Sequence, residues 1–353
     1  MILLRRSPPR NDSVECHCNL RFKWIQIEVS SLCQASCIYC PHTAYRKLWK
    51  GRLISKELFE KLVPMFSRAD LVFLQGWGEP FLHPDFFDFV HRAKDQETLV
   101  GTTTNGMLIT KDTARRIVDS ALDIISFSLA ASSSKNDVVR QGTSIDHVLK
   151  AMEWVRNERE KQGVLKPRIH VSYLLLKSLA SELEDLPELV SKAGAEKIVI
   201  STLSLIPDAD LEKEAFSSPV ELREAISFIT SNLGSAREIE IEFENKIEWL
   251  RKSSSGTFHC PEIPTESFFV GSDGRIAPCV FLGLPLKRTI HNVVSMSFGS
   301  LAFSEVETIW HRPSYQAFRE GFVKGPLPFP CARCARLNTT YSAVMPEKQQ
   351  TNS

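Results

Sequence analysis

Short apolar, β-branched runs alternate with longer amphipathic runs over about 190 residues from Phe22. That rhythm constrains the fold more than any other feature. It requires a mostly parallel sheet covered by helices, because parallel neighbours need a crossover connection. Strands are predicted at 23–29, 71–75, 99–104, 124–129, 169–176 and 197–202. Helices are predicted between them at 55–67, 84–95, 111–119, 145–162 and 182–193. Ser55, Thr110 and Ser144 supply N-cap oxygens at three helix starts. Leu58, Leu62 and Met65 fall on one helical face. Six βα units fit a partial barrel or a doubly wound sheet, and the pattern does not separate the two. Both place functional groups at the C-terminal ends of the strands.

The rhythm breaks after Ser201. A further helix at 220–232 and a strand at 238–244 are expected, then a loop at Ser253–Gly256. Phe268-Phe269-Val270 and Arg275-Ile276-Ala277 flank Gly271-Ser272-Asp273-Gly274, a hairpin signature with a turn-forming Asp-Gly. A helix carrying Val306, Ile309 and Trp310 follows. The expected organisation is a loose tail at 1–21 with Pro8-Pro9, a βα core at 22–235, a small α+β domain at 236–345 and a disordered tail at 346–353.

Charge narrows the function classes. Lys plus Arg is 43 against 42 for Asp plus Glu. That balance argues against a general nucleic-acid-binding surface, which needs a marked excess of cations. The start, Met1-Ile2-Leu3-Leu4-Arg5-Arg6, lacks a signal-peptide core, and no apolar run has membrane-spanning length. A cytoplasmic protein with no membrane or nucleic-acid partner is expected.

Nine cysteines in such a chain call for explanation: Cys16, Cys18, Cys33, Cys37, Cys40, Cys260, Cys279, Cys331 and Cys334. An odd count in a cytosolic protein is not a disulfide framework. Clustering towards both ends points to metal ligation at two places. Cys33-x3-Cys37-x2-Cys40 would arise by chance about 0.006 times at this cysteine content. Three thiolates suit one soft metal centre, and an iron–sulfur cubane held by three leaves one iron open. Buried or zinc-binding cysteines are the alternative. Cys260, Cys279 and Cys331-x2-Cys334 make a set of four, which closes either a cubane or a tetrahedral zinc site. Cys16-His17-Cys18 is left over and reads as incidental thiols. His42 and His83, each beside a proline or in a loop, read as structural or solvated.

Cys33-x3-Cys37-x2-Cys40 after a first strand, within six βα units, resembles the radical S-adenosylmethionine (AdoMet) superfamily. Tyr39 matches an aromatic residue packed near adenine. Gly76-Trp77-Gly78-Glu79-Pro80 is similar to the family's Gly-Gly-Glu-Pro element for the methionine amino group, with Trp77 where glycine is usual. Thr104-Asn105-Gly106 resembles the Thr-Asn-Gly loop. Ser126 and Ser128 on strand four share a face and could meet the cofactor. Arg140 resembles a recurrent position that binds the AdoMet carboxylate or the substrate. The alternative readings are ordinary turns for the two glycine-bearing loops, a surface-facing pair for the serines and a solvated arginine for Arg140.

The resemblance implies a partial (β/α)6 TIM-like barrel with a small C-terminal iron–sulfur domain. It implies a [4Fe-4S] cluster on Cys33, Cys37 and Cys40 whose open iron chelates AdoMet. Reductive cleavage would give a 5′-deoxyadenosyl radical that takes a hydrogen atom from the substrate, with a flavodoxin- or ferredoxin-type electron donor. The region from Cys260 to Cys334 is similar to SPASM and Twitch auxiliary domains. With four cysteines against the seven of full SPASM, it implies one auxiliary [4Fe-4S] cluster on Cys260, Cys279, Cys331 and Cys334. A peptide or protein side chain is the leading substrate class. A small molecule such as a tetrapyrrole or cofactor precursor is the alternative, and an electron carrier without catalysis is the third.

Overall fold

A computed structural model of the chain describes residues 20–216, 218–232, 239–243, 260–287 and 294–334. All but residues 20 and 21 of the tail expected at 1–21, the tail expected at 346–353, Cys16, Cys18, the Ser253–Gly256 loop and the expected boundary at 235 lie outside the described residues.

The six predicted strands form in chain order: β1 Trp24–Ile27, β2 Leu71–Leu74, β3 Leu99–Thr104, β4 Ile124–Leu129, β5 Arg168–Leu175 and β6 Lys197–Thr202. Each pairs in parallel with the next. β7, Glu240–Phe243, extends the sheet in parallel beyond β6. At the other edge the hairpin strands β8 Ser267–Val270 and β9 Arg275–Ala277 continue it, with the short β10 Gly299–Ser300 outermost. β8 runs parallel to β1 in the register Ile27↔Val270. One ten-stranded sheet therefore joins both regions, in the order β10-β9-β8-β1-β2-β3-β4-β5-β6-β7.

Side chains alternate across each strand. Ile25, Ile27, Val72, Leu74, Ile125, Phe127, Val171 and Ile198 face the helices and are fully buried in one core. The opposite face carries Gln26, Glu28, Ser126, Ser128, His170 and Ser172, outside that core. The sheet thus has an apolar face under the helices and a polar concave face.

The helices follow their caps. Ser55, Thr110 and Ser144 side chains accept from the amides of Leu58, Thr113 and His147. Ile145–Gln162 closes on Gly163, whose φ of 66° suits glycine. The helix predicted at 55–67 is instead two pieces, Lys56–Glu60 and Val63–Phe66. Pro64 lacks the amide that would bond Glu60, which ends the first piece. The helix predicted at 182–193 shortens to Leu186–Lys192, preceded by a 3-10 stretch at Lys177–Leu183. No helix among the described residues is long and apolar enough to cross a membrane.

Candidate active site and cysteine-lined cavity

The candidate site lies just beyond the C-terminal ends of β1 to β4. After β1 the chain turns through Ser30–Leu32 to Cys33. Cys37 lies on a two-residue strand, Ser36–Cys37, paired antiparallel with Arg140–Gln141 in the register Cys37↔Arg140. The Cys40 amide then donates to the Cys37 carbonyl at 3.1 Å, closing the turn between those two thiols.

Glu79 follows β2 and is 1% exposed. Its Oε1 accepts from the Thr104 hydroxyl at 2.7 Å and the Phe81 amide at 3.3 Å. Its Oε2 accepts from the Asn105 amide at 2.8 Å. A carboxylate has about four lone-pair sites, so one remains for a further donor. Burial drives its pKa up to about 7 against these hydrogen bonds. The Asn105 side chain donates to Cys33 Sγ at 3.7 Å and accepts from Gln34 Nε2 at 2.9 Å. Three predicted loops, one after each of β1, β2 and β3, therefore meet at Glu79 and Asn105.

Gly78 permits this meeting. A Cβ there would lie 2.3 Å from the Ser30 carbonyl oxygen and 2.5 Å from that of Leu32. Pro80 opens the following 3-10 turn and is buried.

Half-buried Tyr39 pairs with buried Arg140, the phenol accepting a hydrogen bond from the guanidinium Nη1. Burial holds the Tyr39 hydroxyl in its neutral form, far above the usual tyrosine range. Burial disfavours the Arg140 charge, and the Tyr39 phenol oxygen beside it acts in the opposite sense, as an acceptor for the guanidinium. Arg140 Nε is buried without a hydrogen-bond partner. An unpaired buried donor is costly, about 1–3 kcal/mol, and marks a place for an absent acceptor. The Cys33 and Cys40 thiols are pushed up to about 11 and about 12 by burial. Bare thiols here stay protonated, and soft metal ions are the partners that stabilise their thiolates.

The two serines of β4 lie on the concave face. Ser126 Oγ shares a hydrogen bond with Ser172 Oγ of β5 at 2.7 Å, and half-buried Ser128 lies two residues further towards the C-terminal end of β4. His83 is structural. Its Nδ1 accepts from the Asp85 amide at 3.0 Å, so Nε2 carries the proton and donates to the Ile54 carbonyl at 2.8 Å. His42 packs edge-on against Trp49.

Cys260, Cys279, Cys331 and Cys334 all line one cavity. Its other walls are mostly apolar, including Pro264, Pro278, Phe281, Leu282, Phe318 and Phe322. The Cys334 amide bonds the Cys331 carbonyl at 2.9 Å, and Gly283 bonds that of Cys279 at 3.0 Å, so tight turns present these thiols. Burial pushes the Cys260 and Cys331 thiols up to about 12 and Cys279 well above its ordinary value. Among the described residues, no three His, Cys, Asp or Glu side chains converge to hold a single metal ion. A cubane asks for a different arrangement, each thiolate on its own iron. Four soft donors lining one mostly apolar cavity fit such a cluster. Trp310, singled out in the sequence, lies under the Arg319 guanidinium at 3.8 Å and supports this region from outside.

One buried acid escaped the sequence reading. Glu28, at the end of β1, is fully buried. Its Oε1 accepts from the Trp77 amide at 3.0 Å, and its Oε2 from the amide and hydroxyl of Ser272 at 3.2 and 3.0 Å. Alternation with Gln26 was its one signal, and that pattern ordinarily marks a solvated strand face.

Residues 27–176 match the Radical SAM superfamily, and residues 260–335 match the SPASM iron–sulfur cluster-binding domain. A tungsten-containing aldehyde ferredoxin oxidoreductase cofactor-modifying protein of Pyrococcus furiosus is 22% identical over 89% of this chain and 87% of its own length. The mycofactocin maturase MftC of Mycolicibacterium smegmatis is 25% identical over 48% of this chain and 41% of its own. Among solved structures, Streptococcus suis SuiB bound to S-adenosylmethionine superposes with a TM-score of 0.65 at 15% identity. That match covers 89% of this chain and 71% of SuiB. A Radical SAM domain at 27–176 followed by a SPASM iron–sulfur cluster-binding domain at 260–335 marks this chain as a radical SAM superfamily enzyme.

Proposed function

We propose that Cys33, Cys37 and Cys40 hold the catalytic [4Fe-4S] cluster and that AdoMet sits against Gly76–Pro80, Asn105 and Arg140. The convergence of three loops on Glu79 and Asn105, with Asn105 reaching Cys33 Sγ, carries this reading. Cys260, Cys279, Cys331 and Cys334 hold the auxiliary cluster. The bound cofactors supply reductive cleavage of AdoMet and, through it, abstraction of a substrate hydrogen atom.

The chain's own residues prepare that chemistry. Glu79 pins the Thr104-Asn105 loop and keeps one lone-pair site for a cationic ammonium. Gly78 lets the turn's backbone approach closely. The unpaired Arg140 Nε offers a donor to a carboxylate. Tyr39 holds the guanidinium and packs against the apolar cluster that includes Ala131, Leu176 and Leu203. The concave face, with Gln26, Ser126, Ser128 and Ser172, offers a polar floor for substrate.

The substrate is a peptide or protein side chain in this reading. Its support is likeness to a maturase and to SuiB, which is also solved bound to its precursor peptide SuiA. A second reading, modification of a small cofactor, draws on the relative that aligns along most of the chain, itself named a cofactor-modifying protein. An external ferredoxin- or flavodoxin-type donor supplies the electron.

The test is anaerobic reconstitution followed by dithionite and AdoMet. Release of 5′-deoxyadenosine and about eight irons per chain, falling to about four in a Cys33/Cys37/Cys40→Ala triple variant, is the expected outcome. Intact clusters with no 5′-deoxyadenosine would overturn the assignment. Challenge with peptides against small cofactors then separates the two substrate readings.

A further inference from the structure

Trp77 stands where the resemblance calls for glycine, and it joins the two cysteine regions. Its indole Nε1–H donates to the Val280 carbonyl at 2.9 Å. Its ring meets Phe281 edge-on, with centroids 5.7 Å apart. Val280 and Phe281 directly follow Cys279. The backbone amide of Trp77 is held in turn by Glu28, whose other oxygen holds Ser272 in the hairpin turn. A glycine at position 77 has neither an N–H at that reach nor a ring to place against Phe281.

We infer that Trp77 is a positioning residue for the auxiliary cluster, fixing the Cys279–Phe281 turn against the AdoMet-binding turn. The inference rests on the assignment of both cysteine sets to clusters. The Val280 carbonyl also accepts from the Gly283 amide at 3.2 Å, so the indole bonds a turn already folded around Cys279. Phe281 itself lines the cysteine cavity. Hydrogen bonding and solvent exposure around the thiolates set the reduction potential of an iron–sulfur cluster. Loosening this turn changes both at Cys279 while leaving Cys33, Cys37 and Cys40 in place.

Two variants of the reconstituted holoenzyme test it. Trp77→Phe keeps a ring and loses the N–H; Trp77→Gly loses both. Iron content, the EPR spectra of the two reduced clusters and their midpoint potentials are measured without AdoMet. The expected result is a shifted potential and altered g-values for the auxiliary cluster, larger in Trp77→Gly, with the core cluster unchanged. Loss of about four irons from the auxiliary site alone in Trp77→Gly supports the same conclusion. Unchanged auxiliary signals in Trp77→Phe, or a change confined to the core cluster, overturn it, and Trp77→Phe decides the matter should Trp77→Gly not fold. A parent protein with about four irons and zinc overturns the cluster assignment itself, a failure visible before any variant is made.

Discussion

Glu28 and Ser272, 244 residues apart in sequence, are joined through one buried carboxylate oxygen that accepts from both the amide and the hydroxyl of Ser272. The contact closes the hairpin turn over the end of β1. Its proton balance follows from the burial. Desolvation lifts the Glu28 pKa from 4.5 to about 7, against the hydrogen bonds from Trp77 and Ser272. The unfolded chain releases that proton near 4.5 and the folded chain near 7, so the folded state binds more protons between them. Stability therefore falls as pH rises through that window and is level above it. At about 1.36 kcal/mol per pKa unit the fall is on the order of 3 kcal/mol. Glu79 contributes in the same direction. Glu28→Gln should show a smaller drop in apparent thermal midpoint between pH 5 and pH 8 than the parent, at one scan rate. Equal drops would contradict the Glu28 assignment.

Gly78→Ala places a Cβ 2.3 Å from the Ser30 carbonyl oxygen, a backbone atom with little freedom to yield. Overpacking of this kind costs about 1–3 kcal/mol. The turn must shift, so AdoMet binding by calorimetry should weaken sharply. Gly163→Ala is the control: its φ is 66° and nothing lies within 4 Å of the added atom. That variant should lose stability through its backbone alone and bind AdoMet as the parent does.

Removing the Glu79 carboxylate strands the buried Asn105 amide, at a cost of about 1–3 kcal/mol. Glu79→Ala should keep its iron, since no cysteine is touched, and lose the AdoMet-induced change in the EPR spectrum of the reduced protein. Retention of that change would show that the loop does not depend on Glu79.

Cys37 and Arg140 pair through backbone, so Arg140→Met leaves that ribbon's hydrogen bonds in place. Iron content should hold. AdoMet affinity should drop about 10- to 100-fold, the worth of a hydrogen bond to a charged group of about 1.5–3 kcal/mol. Arg140→Lys should not restore it, because an ammonium lacks the planar fork. Unchanged affinity in Arg140→Met would remove Arg140 from the AdoMet site.

Local chemistry was legible in the sequence wherever one segment carried its own meaning. Cysteine spacing, the cap residues and the β-branched runs of β3, β4 and β6 each reported their structure directly. Glu79, Thr104 and Asn105 were singled out by motif, and the fold brings their side chains and amides together. Pairing between distant segments was not legible. The hairpin at Gly271–Gly274 announced its turn but not that β8 would align with β1, since register across some 240 residues leaves no local trace. Glu28 was hidden for the same reason. Its alternation with Gln26 states which way the side chain points and not what lies opposite. The polar pattern meant the concave side of a closing sheet, and only the tertiary fold distinguishes that side from bulk water.

The placement of β8 beside β1 bears on how the protein can be cut. A core ending near residue 235 would leave β1 as an edge strand, with the amides and carbonyls that now bond Ser267–Val270 bare. Phe22, whose ring meets Phe268 at 4.9 Å and Trp310 at 5.0 Å, would lose both partners. Such an uncovered edge beside exposed aromatic surface is a template for aggregation. The C-terminal region thus doubles as the seam that keeps the barrel's first strand from recruiting a neighbouring chain.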